Sequence, residues 1–276
     1  MKPALIFLNG YYDLRYPDFY LQQLVEGKAS HCPIICADGG FQLFRALEAY
    51  LVRGSGSGVR GPAEELLPFP DPGPRTPDPD PQTPVFPDVL IGDLDSAEVD
   101  VASLEGRGVR VVREWLGKTD KDYTDGQLAV AYAVEDYGCD ALYIYGGLPR
   151  PDGYEIDHFL GNLKLMRFGR RLLALRGEAD YAAEMRDPLQ TVHFVTKRLR
   201  LKRQNAGLQR VSLIAEGERV VIADSENLRW PLRQFRVDPD SPNALRNEFV
   251  SGAAHAEITL ARDSEPVYVI HNWYAE

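Results

Sequence analysis

Two clusters of aspartates are the residues of this sequence best suited to chemistry. The first contains Asp93 and Asp95, two positions apart, and the second contains Asp120, Asp122 and Asp125. Several carboxylates brought together repel one another unless a cation joins them. Hard oxygen ligands of this kind suit Mg²⁺, which usually shares its remaining positions with a substrate phosphate. Any one of these aspartates alone is more typical of a turn or a helix cap, but the two clusters together predict a magnesium site.

A buried strand must bring the first cluster into place. The apolar run Val89–Ile91 ends at Gly92, and this pattern predicts a short strand that arrives at a turn. In an open parallel sheet, ligands bind beyond the carboxyl ends of the strands. Asp93 and Asp95 follow this strand, and in extended backbone their side chains point the same way.

Two earlier strands also end in glycine turns. Residues 3–8 predict a first strand followed by Asn9-Gly10, and residues 33–37 predict a second strand that runs into Asp38–Gly40. A helical spacing of apolar residues follows the second turn. Strand, glycine turn and helix form a unit that lets a backbone approach a phosphate. A tight turn without any ligand explains the same residues equally well.

Helix starts carry the other acidic candidates. Thr124 and Gln127 match a capping box, so Asp125 flanks the start of a helix whose dipole favours a carboxylate or a bound phosphate. Asp157 opens a later helix, where it is either the cap or a site residue. Leu172–Leu175 is interpreted as the last strand of this half.

The order of elements predicts an α/β fold class with two domains. Alternating strands and helices over 1–180 predict a parallel-sheet α/β domain. Within it, residues 53–87 contain ten of the twenty prolines and predict a flexible insertion. Short β-rich runs over 190–276 predict a C-terminal antiparallel β-sandwich. There, the basic run 197–203 is interpreted as a solvated strand face, and Trp230 is either an exposed ring that stacks on a flat cationic heterocycle or a core residue.

Composition excludes several classes of protein. The 276 residues carry a formal net charge of −10, which argues against nonspecific binding to nucleic acid. The sequence contains neither an apolar run long enough for a membrane span nor a signal peptide, so we expect a cytoplasmic protein. The three cysteines lack zinc-binding spacing and are interpreted as reduced thiols, with Cys32 and Cys36 in the core.

Taken in order, these pieces resemble the thiamine pyrophosphokinase (thiamine diphosphokinase) family. The resemblance spans nearly the whole chain, and the acidic stretches are its most specific part. The stretches that carry it are Leu8–Gly10, Ala37–Gly40, Ile91–Ser96, Lys121–Asp125, Asp157–Leu163 and Asn227–Leu232.

The resemblance implies a homodimer in which each active site lies between the α/β domain of one subunit and the β-sandwich of the other. The implied reaction transfers diphosphate from ATP to the hydroxyl of thiamine and releases AMP. Mg²⁺ and the ATP phosphates would be held by Asp93, Asp95, Asp122 and Asp125. Asp125 or Asp157 would orient the hydroxyl. The implied nucleotide- and substrate-binding residues are Asn9, Asp38, Gly39, Gly40, Ser96, Lys121, Thr124, Trp230 (on thiamine) and Asn247.

Two positions depart from the family pattern. Glu155 stands where the family has an arginine, for which Arg150 is a candidate substitute, and Arg246 stands where it has a serine. Both changes concern substrate or nucleotide contacts. Two alternatives therefore stay open: a diphosphokinase that acts on a pterin or another hydroxymethyl heterocycle, and a non-catalytic sensor of thiamine or nucleotide.

Overall fold

The chain divides into two units, Met1–Asp180 and Tyr181–Glu276. The structure is a computed structural model, and it describes residues 1–56, 86–94, 99–113, 123–149, 156–177 and 181–273. Most of the predicted insertion at 53–87 therefore lies outside the described residues. The predicted site residues Asp95, Ser96, Lys121 and Asp122 also lie outside them.

The first unit contains a parallel sheet with helices, which confirms the predicted fold class. Its strands are β1 (Pro3–Phe7), β2 (Ile34–Ala37), β3 (Val89–Ile91), β4 (Arg110–Val112) and β5 (Ala141–Tyr145). They lie in the order β5-β1-β2-β3-β4, and every neighbouring pair is parallel. The helices are α1 (Pro17–Ala29), α2 (Phe41–Gly56), α3 (Val101–Gly106), α4 (Asp125–Glu135) and α5 (Asp157–Leu175), and a 3₁₀ turn spans Asp38–Gly40.

Aromatic and aliphatic side chains cover the sheet of the first unit. The Phe7 ring lies 4.8 Å from that of Tyr145 in a stacked arrangement and 5.1 Å from that of Phe44 on α2. Helix α4 packs against β1, β2 and β3 and against α5, and its segment Leu128–Val134 is buried throughout. Strands covered in this way need continuous apolar runs rather than an alternating pattern, as Val89–Ile91 shows.

Two boundaries differ from the sequence prediction. The prediction of a strand at Leu172–Leu175 is wrong, because these residues form the last turn of α5. Leu165, Gly169 and Leu173 are buried at intervals of four, so the helical period continues to the end of the segment. Helix α2 also extends to Gly56 and thus includes the first residues of the predicted insertion.

The second unit is an antiparallel sandwich, as predicted. Its strands are β6 (Ala182–Asp187), β7 (Gln190–Val195), β8 (Arg198–Lys202), β9 (Gln209–Ala215), β10 (Val220–Glu226), β11 (Phe235–Val237), β12 (Asn247–Glu248), β13 (His255–Leu260) and β14 (Val267–Trp273). One sheet has the order β12-β9-β14-β7-β6 and the other the order β11-β10-β13-β8. Side chains from both sheets, such as Val211 and Val269 on one and Ile222 and Ile258 on the other, form a common core.

The sequence analysis missed β6 and β11. In β6, Glu184 and Arg186 pair across 2.7 Å, and His193 of β7 lies 3.3 Å from Glu184. Glu184 and Arg186 alternate with the buried Ala183 and Met185, so β6 has a strand pattern in which only two of its six residues are buried.

No helix within the described ranges is both long enough and apolar enough to cross a membrane. Cys32, Cys36 and Cys139 are free and buried, and Cys32 and Cys36 lie in the core as predicted.

His271 gives the second unit a predictable response to pH. Its side chain is 2% exposed, and its Nε2 lies 2.8 Å from Oε1 of Gln209. Burial, helped by the charges of His193 and Arg203, lowers the pKa of His271 to about 4. The unfolded chain, with a histidine pKa of about 6.5, therefore binds more protons between these values.

We accordingly expect stability to fall as the pH drops through this window, by about 2 kcal/mol between pH 7 and pH 5 from this group. Urea unfolding at the two pH values measures the change. The variant His271→Gln removes the titrating ring, so its pH dependence should be flatter by that amount. An equal pH dependence in the variant and the parent would contradict the assignment.

Candidate functional site

The carboxyl ends of neighbouring strands in the first unit carry polar or glycine-containing turns. Asn9-Gly10 follows β1, the 3₁₀ turn Asp38–Gly40 follows β2, Gly92-Asp93 follows β3, and Gly146-Gly147 follows β5. Because these strands are parallel and adjacent, their ends lie along one edge of the sheet. This edge is where open α/β sheets bind ligands, and we call it the glycine edge.

Backbones touch directly at one end of the glycine edge. A Cβ atom added to Gly10 would lie 1.9 Å from the carbonyl oxygen of Gly146. At Gly146, which has φ of +72°, an added Cβ would lie 2.6 Å from the Tyr12 hydroxyl. That hydroxyl donates a hydrogen bond of 2.6 Å to the Leu8 carbonyl, and burial raises the pKa of Tyr12, so the phenol is neutral. Only glycine fits at both positions.

The 3₁₀ turn Asp38–Gly40 also packs closely against the end of β1. A Cβ added to Gly40 would lie 2.5 Å from the Phe7 carbonyl oxygen, and one added to Gly39 would lie 2.4 Å from Oδ1 of Asn9. The exposed Asn9 side chain therefore lies against the turn. These contacts bring the first two predicted binding segments together.

Asp38 is the buried carboxylate of this edge. It is 2% exposed and adopts φ of +41°, an unusual conformation for a residue with a side chain. Within the described part of the chain, its Oδ1 has no hydrogen-bond partner. A buried carboxylate oxygen in this condition is costly unless a cation or donor binds it.

Asp38 and Asp125 flank the same glycine. At Gly92, where φ is +136°, an added Cβ would lie 3.1 Å from Cβ of Asp38 and 2.7 Å from Oδ1 of Asp125. Asp93 is the next residue and is exposed. The structure thus brings Asp38 and Asp125 together beside Gly92, and Asp93 follows that glycine in the chain. The sequence analysis assigned Asp38 to binding but not to the acidic group, because its proximity to Gly92 depends on strand pairing.

Two helices begin at this part of the first unit. Thr124 and Gln127 form the predicted capping box, in which Oγ1 of Thr124 accepts from the Gln127 amide at 3.2 Å and Oε1 of Gln127 accepts from the Thr124 amide at 3.1 Å. This box fixes Asp125 in the first turn of α4. Asp157 is exposed in the first turn of α5 and is not the cap, which is Ile156. Asn162, one turn later, donates to the Gly147 carbonyl at 3.1 Å.

The donors of the glycine edge fit a magnesium ion, although the described residues do not form a complete site. No group of three or more histidine, cysteine or acidic side chains within the described ranges is arranged to hold a metal. The carboxylates that are described supply hard oxygen donors, and one of them is buried with an oxygen that lacks a partner. This donor chemistry is what Mg²⁺ requires. The roles predicted for Asp93, Asp95, Asp122 and Asp125 stay predictions.

Trp230 presents its ring on the surface of the second unit. The side chain is 50% exposed, which excludes the alternative of core burial. The Arg229 guanidinium lies 4.8 Å from the centroid of the indole and forms an ion pair of 2.7 Å with Glu248. An exposed aromatic face of this kind can stack on a flat ring.

Asn247 holds the backbone of Trp230 in place. It is 5% exposed, and its Oδ1 accepts from the amide of Trp230 at 3.1 Å and from that of Glu248 at 2.9 Å. Its Nδ2 donates to the Trp230 carbonyl at 2.7 Å. Asn247, predicted to bind ligand, thus has its amide engaged with the turn that presents Trp230. Arg246, one of the two departures, has φ of +59°, and its backbone amide donates to the Ser212 hydroxyl at 2.9 Å.

Comparisons with known proteins agree with these two units. The chain resembles three solved structures: thiamine pyrophosphokinase from Bacillus subtilis (14% identity, TM-score 0.62, 98% of each chain covered), thiamin pyrophosphokinase from Geobacillus thermodenitrificans (17% identity, TM-score 0.60, 99% of each) and thiamin pyrophosphokinase from Candida albicans (12% identity, TM-score 0.61, 99% of this chain and 89% of that one). At these identities the similarity establishes the fold alone. No curated protein matches the sequence.

A family model assigns the chain more specifically than the solved structures do. The model of the thiamin pyrophosphokinase catalytic domain matches residues 26–171, which is more than half of the chain. The match includes the 3₁₀ turn at Asp38, the Gly92-Asp93 turn and the first turns of α4 and α5. The chain therefore belongs to the thiamin pyrophosphokinase family.

Proposed function

We propose that this protein is a thiamine diphosphokinase that transfers the terminal diphosphate of ATP to thiamine and releases AMP. Family membership makes it a kinase-type transferase. The observation that carries the finer proposal is the buried carboxylate of Asp38, which lies beside Gly92 and Asp125 at the carboxyl end of the parallel sheet. A buried, negatively charged strand end of this kind suits a magnesium-bound polyphosphate.

The proposed reaction forms one bond and breaks one. The thiamine hydroxyl oxygen bonds to the β-phosphorus of ATP, and the bond from that phosphorus to the oxygen shared with the α-phosphate breaks. AMP leaves with that oxygen and the electron pair. The proton of the hydroxyl passes to a carboxylate or to water, and Asp125 and Asp157 are the candidates that orient the hydroxyl.

Positioning accounts for most of the proposed catalysis. Bound Mg²⁺, held by Asp93 and Asp125 together with Asp95 and Asp122, would supply charge stabilisation for the transferring diphosphate. Asp38 adds buried negative charge, which favours retention of the cation. Glycine at positions 39 and 40 lets the turn pack directly against β1, since an added Cβ would meet Asn9 or Phe7.

The second unit is proposed to select the acceptor. Thiamine contains a cationic, planar ring, and the exposed indole of Trp230 offers a surface for stacking and cation–π attraction. Because the amide of Asn247 holds the Trp230 backbone on both sides, the ring stacks from a preformed position. We also include a homodimer in the proposal, which sedimentation velocity tests directly.

The decisive experiment follows AMP formation from ATP and Mg²⁺, with and without thiamine, and measures the product mass. Thiamine-dependent AMP together with a mass of thiamine diphosphate is the expected result. Pterin alcohols serve as a second set of acceptors, because Glu155 and Arg246 depart from the family pattern. AMP formed only with a pterin would show that a pterin, and not thiamine, is the acceptor. Tight binding of thiamine or ATP without any formation of AMP would support a non-catalytic sensor instead of an enzyme.

A further inference from the structure

An arginine-lined cavity lies in the second unit, at one end of the four-stranded sheet. Its volume is about 500 Å³, and Arg219, Arg236 and Arg262 are among its lining residues. Arg219 precedes β10, Arg236 lies in β11, and Arg262 follows β13. None of the residues proposed for diphosphate transfer lines it.

Hydrogen bonds between two turns build the wall of this cavity. Oε2 of Glu265 accepts from the Arg219 amide at 2.7 Å, and the Glu265 amide donates to the Arg219 carbonyl at 2.8 Å. The Ser264 hydroxyl accepts from the Val221 amide at 2.9 Å and donates to the Glu265 carbonyl at 2.9 Å. An added Cβ at Gly217 would lie 2.5 Å from Glu265, so the turn before Arg219 closes tightly on this carboxylate. The backbone that carries Arg219 is thus held from both sides.

The three arginines of the cavity are exposed to solvent. Glu218 and Asp263 also line it, but among the described residues neither forms an ion pair with Arg219, Arg236 or Arg262. The guanidinium of Arg236 makes a long contact of 3.5 Å, from Nη2 to the Glu218 carbonyl. Counting Glu265 of the wall, three carboxylates accompany the three guanidinium groups, so binding of an anion would depend on these guanidinium donors and not on a net positive charge.

We infer that this cavity binds a small polyvalent oxyanion of the phosphate class. Guanidinium groups donate paired hydrogen bonds with a geometry that matches phosphate oxygens, and such charge-assisted bonds are among the stronger ones in proteins. The three arginines come from three different segments, so an anion in the cavity would have guanidinium donors on more than one side. Free phosphate, free diphosphate and the phosphate of a nucleotide share this chemistry.

Calorimetric titration of the full chain with inorganic diphosphate tests the inference. EDTA is present, so that magnesium-dependent binding at the glycine edge does not contribute. We expect saturable binding that weakens about tenfold in Arg219→Gln and in Arg262→Gln, since each variant loses one charge-assisted pair. Arg262→Lys keeps the charge but not the paired geometry and should weaken binding less. Titration with AMP shows whether the cavity also takes the phosphate of a nucleotide. AMP binding that weakens in the same variants supports both sources, and binding of diphosphate without AMP supports free diphosphate alone.

Arg200→Gln is the matched control. Arg200 is an exposed arginine of β8, at the opposite edge of the same sheet from β11, and its replacement changes the net charge equally. Binding should be unaffected in this variant. The inference is overturned by absence of saturable binding, by equal weakening in Arg200→Gln, or by unchanged affinity in the two cavity variants. Thermal unfolding of each variant checks that the exposed substitutions leave the fold intact, and none of these results depends on whether the chain transfers diphosphate.

Discussion

Replacing Asp38 with asparagine is expected to slow diphosphate transfer strongly and to stabilise the metal-free protein. The carboxylate is buried beside Gly92 and Asp125, so its charge is unfavourable when no cation is bound. Asparagine keeps the shape and tolerates the φ of +41°. We expect a fall in kcat of about 10³-fold, which corresponds to about 4 kcal/mol. The free energy of unfolding in EDTA should rise by about 1 kcal/mol.

Two further variants separate the effect of Asp38 on activity from its effect on stability. Asp93→Asn removes an exposed carboxylate at the same strand end, so it should lose activity without the gain in stability. Glu135→Gln removes the same charge from the exposed last turn of α4 and should change neither quantity. Urea unfolding in EDTA and the AMP assay give the two readouts. Full activity in Asp38→Asn would exclude this carboxylate from the site, whatever the stability shows.

Replacing Trp230 with alanine is expected to weaken thiamine binding selectively. The indole is half-exposed and its backbone is held by Asn247, so the substitution removes a stacking surface without opening the core. Loss of stacking and cation–π attraction of about 2 kcal/mol corresponds to a rise of roughly 30-fold in the KM for thiamine. The KM for ATP should not change. Steady-state kinetics with each substrate varied in turn measure both values.

A conservative variant provides the control for this second prediction. Trp230→Phe retains an aromatic face and should recover most of the affinity for thiamine. If alanine and phenylalanine raise the KM equally, the ring contributes by some means other than stacking. A parallel rise in the KM for ATP would point to a change in the fold of the second unit instead.

Local sequence signals predicted local structure well. The capping box of Thr124 and Gln127 involves residues three positions apart, so its geometry follows from the helix itself. The apolar run Val89–Ile91 and the glycine after it predicted a buried strand and its turn for the same reason. The parallel sheet and the sandwich then followed from the order of such elements.

Long-range contacts were beyond this kind of reasoning. The position of Asp38 beside Gly92 depends on the pairing of β2 with β3, which lie more than fifty residues apart in the chain. The clamp of Asn247 on Trp230 joins two turns that no periodicity relates. Strand β6 was missed because only Ala183 and Met185 of its six residues are buried, which gives a weak alternating pattern. In the first two cases the missing information was tertiary.

The contact between Gly10 and Gly146 has a mechanical consequence. Because the loops after β1 and β5 meet backbone to backbone, with room for no side chain, a displacement of one must displace the other. The Tyr12 hydroxyl, bonded to the Leu8 carbonyl, closes over the same contact. We therefore expect the turns Asn9-Gly10 and Gly146-Gly147 to move together, so hydrogen exchange at their amides should slow together when ATP binds.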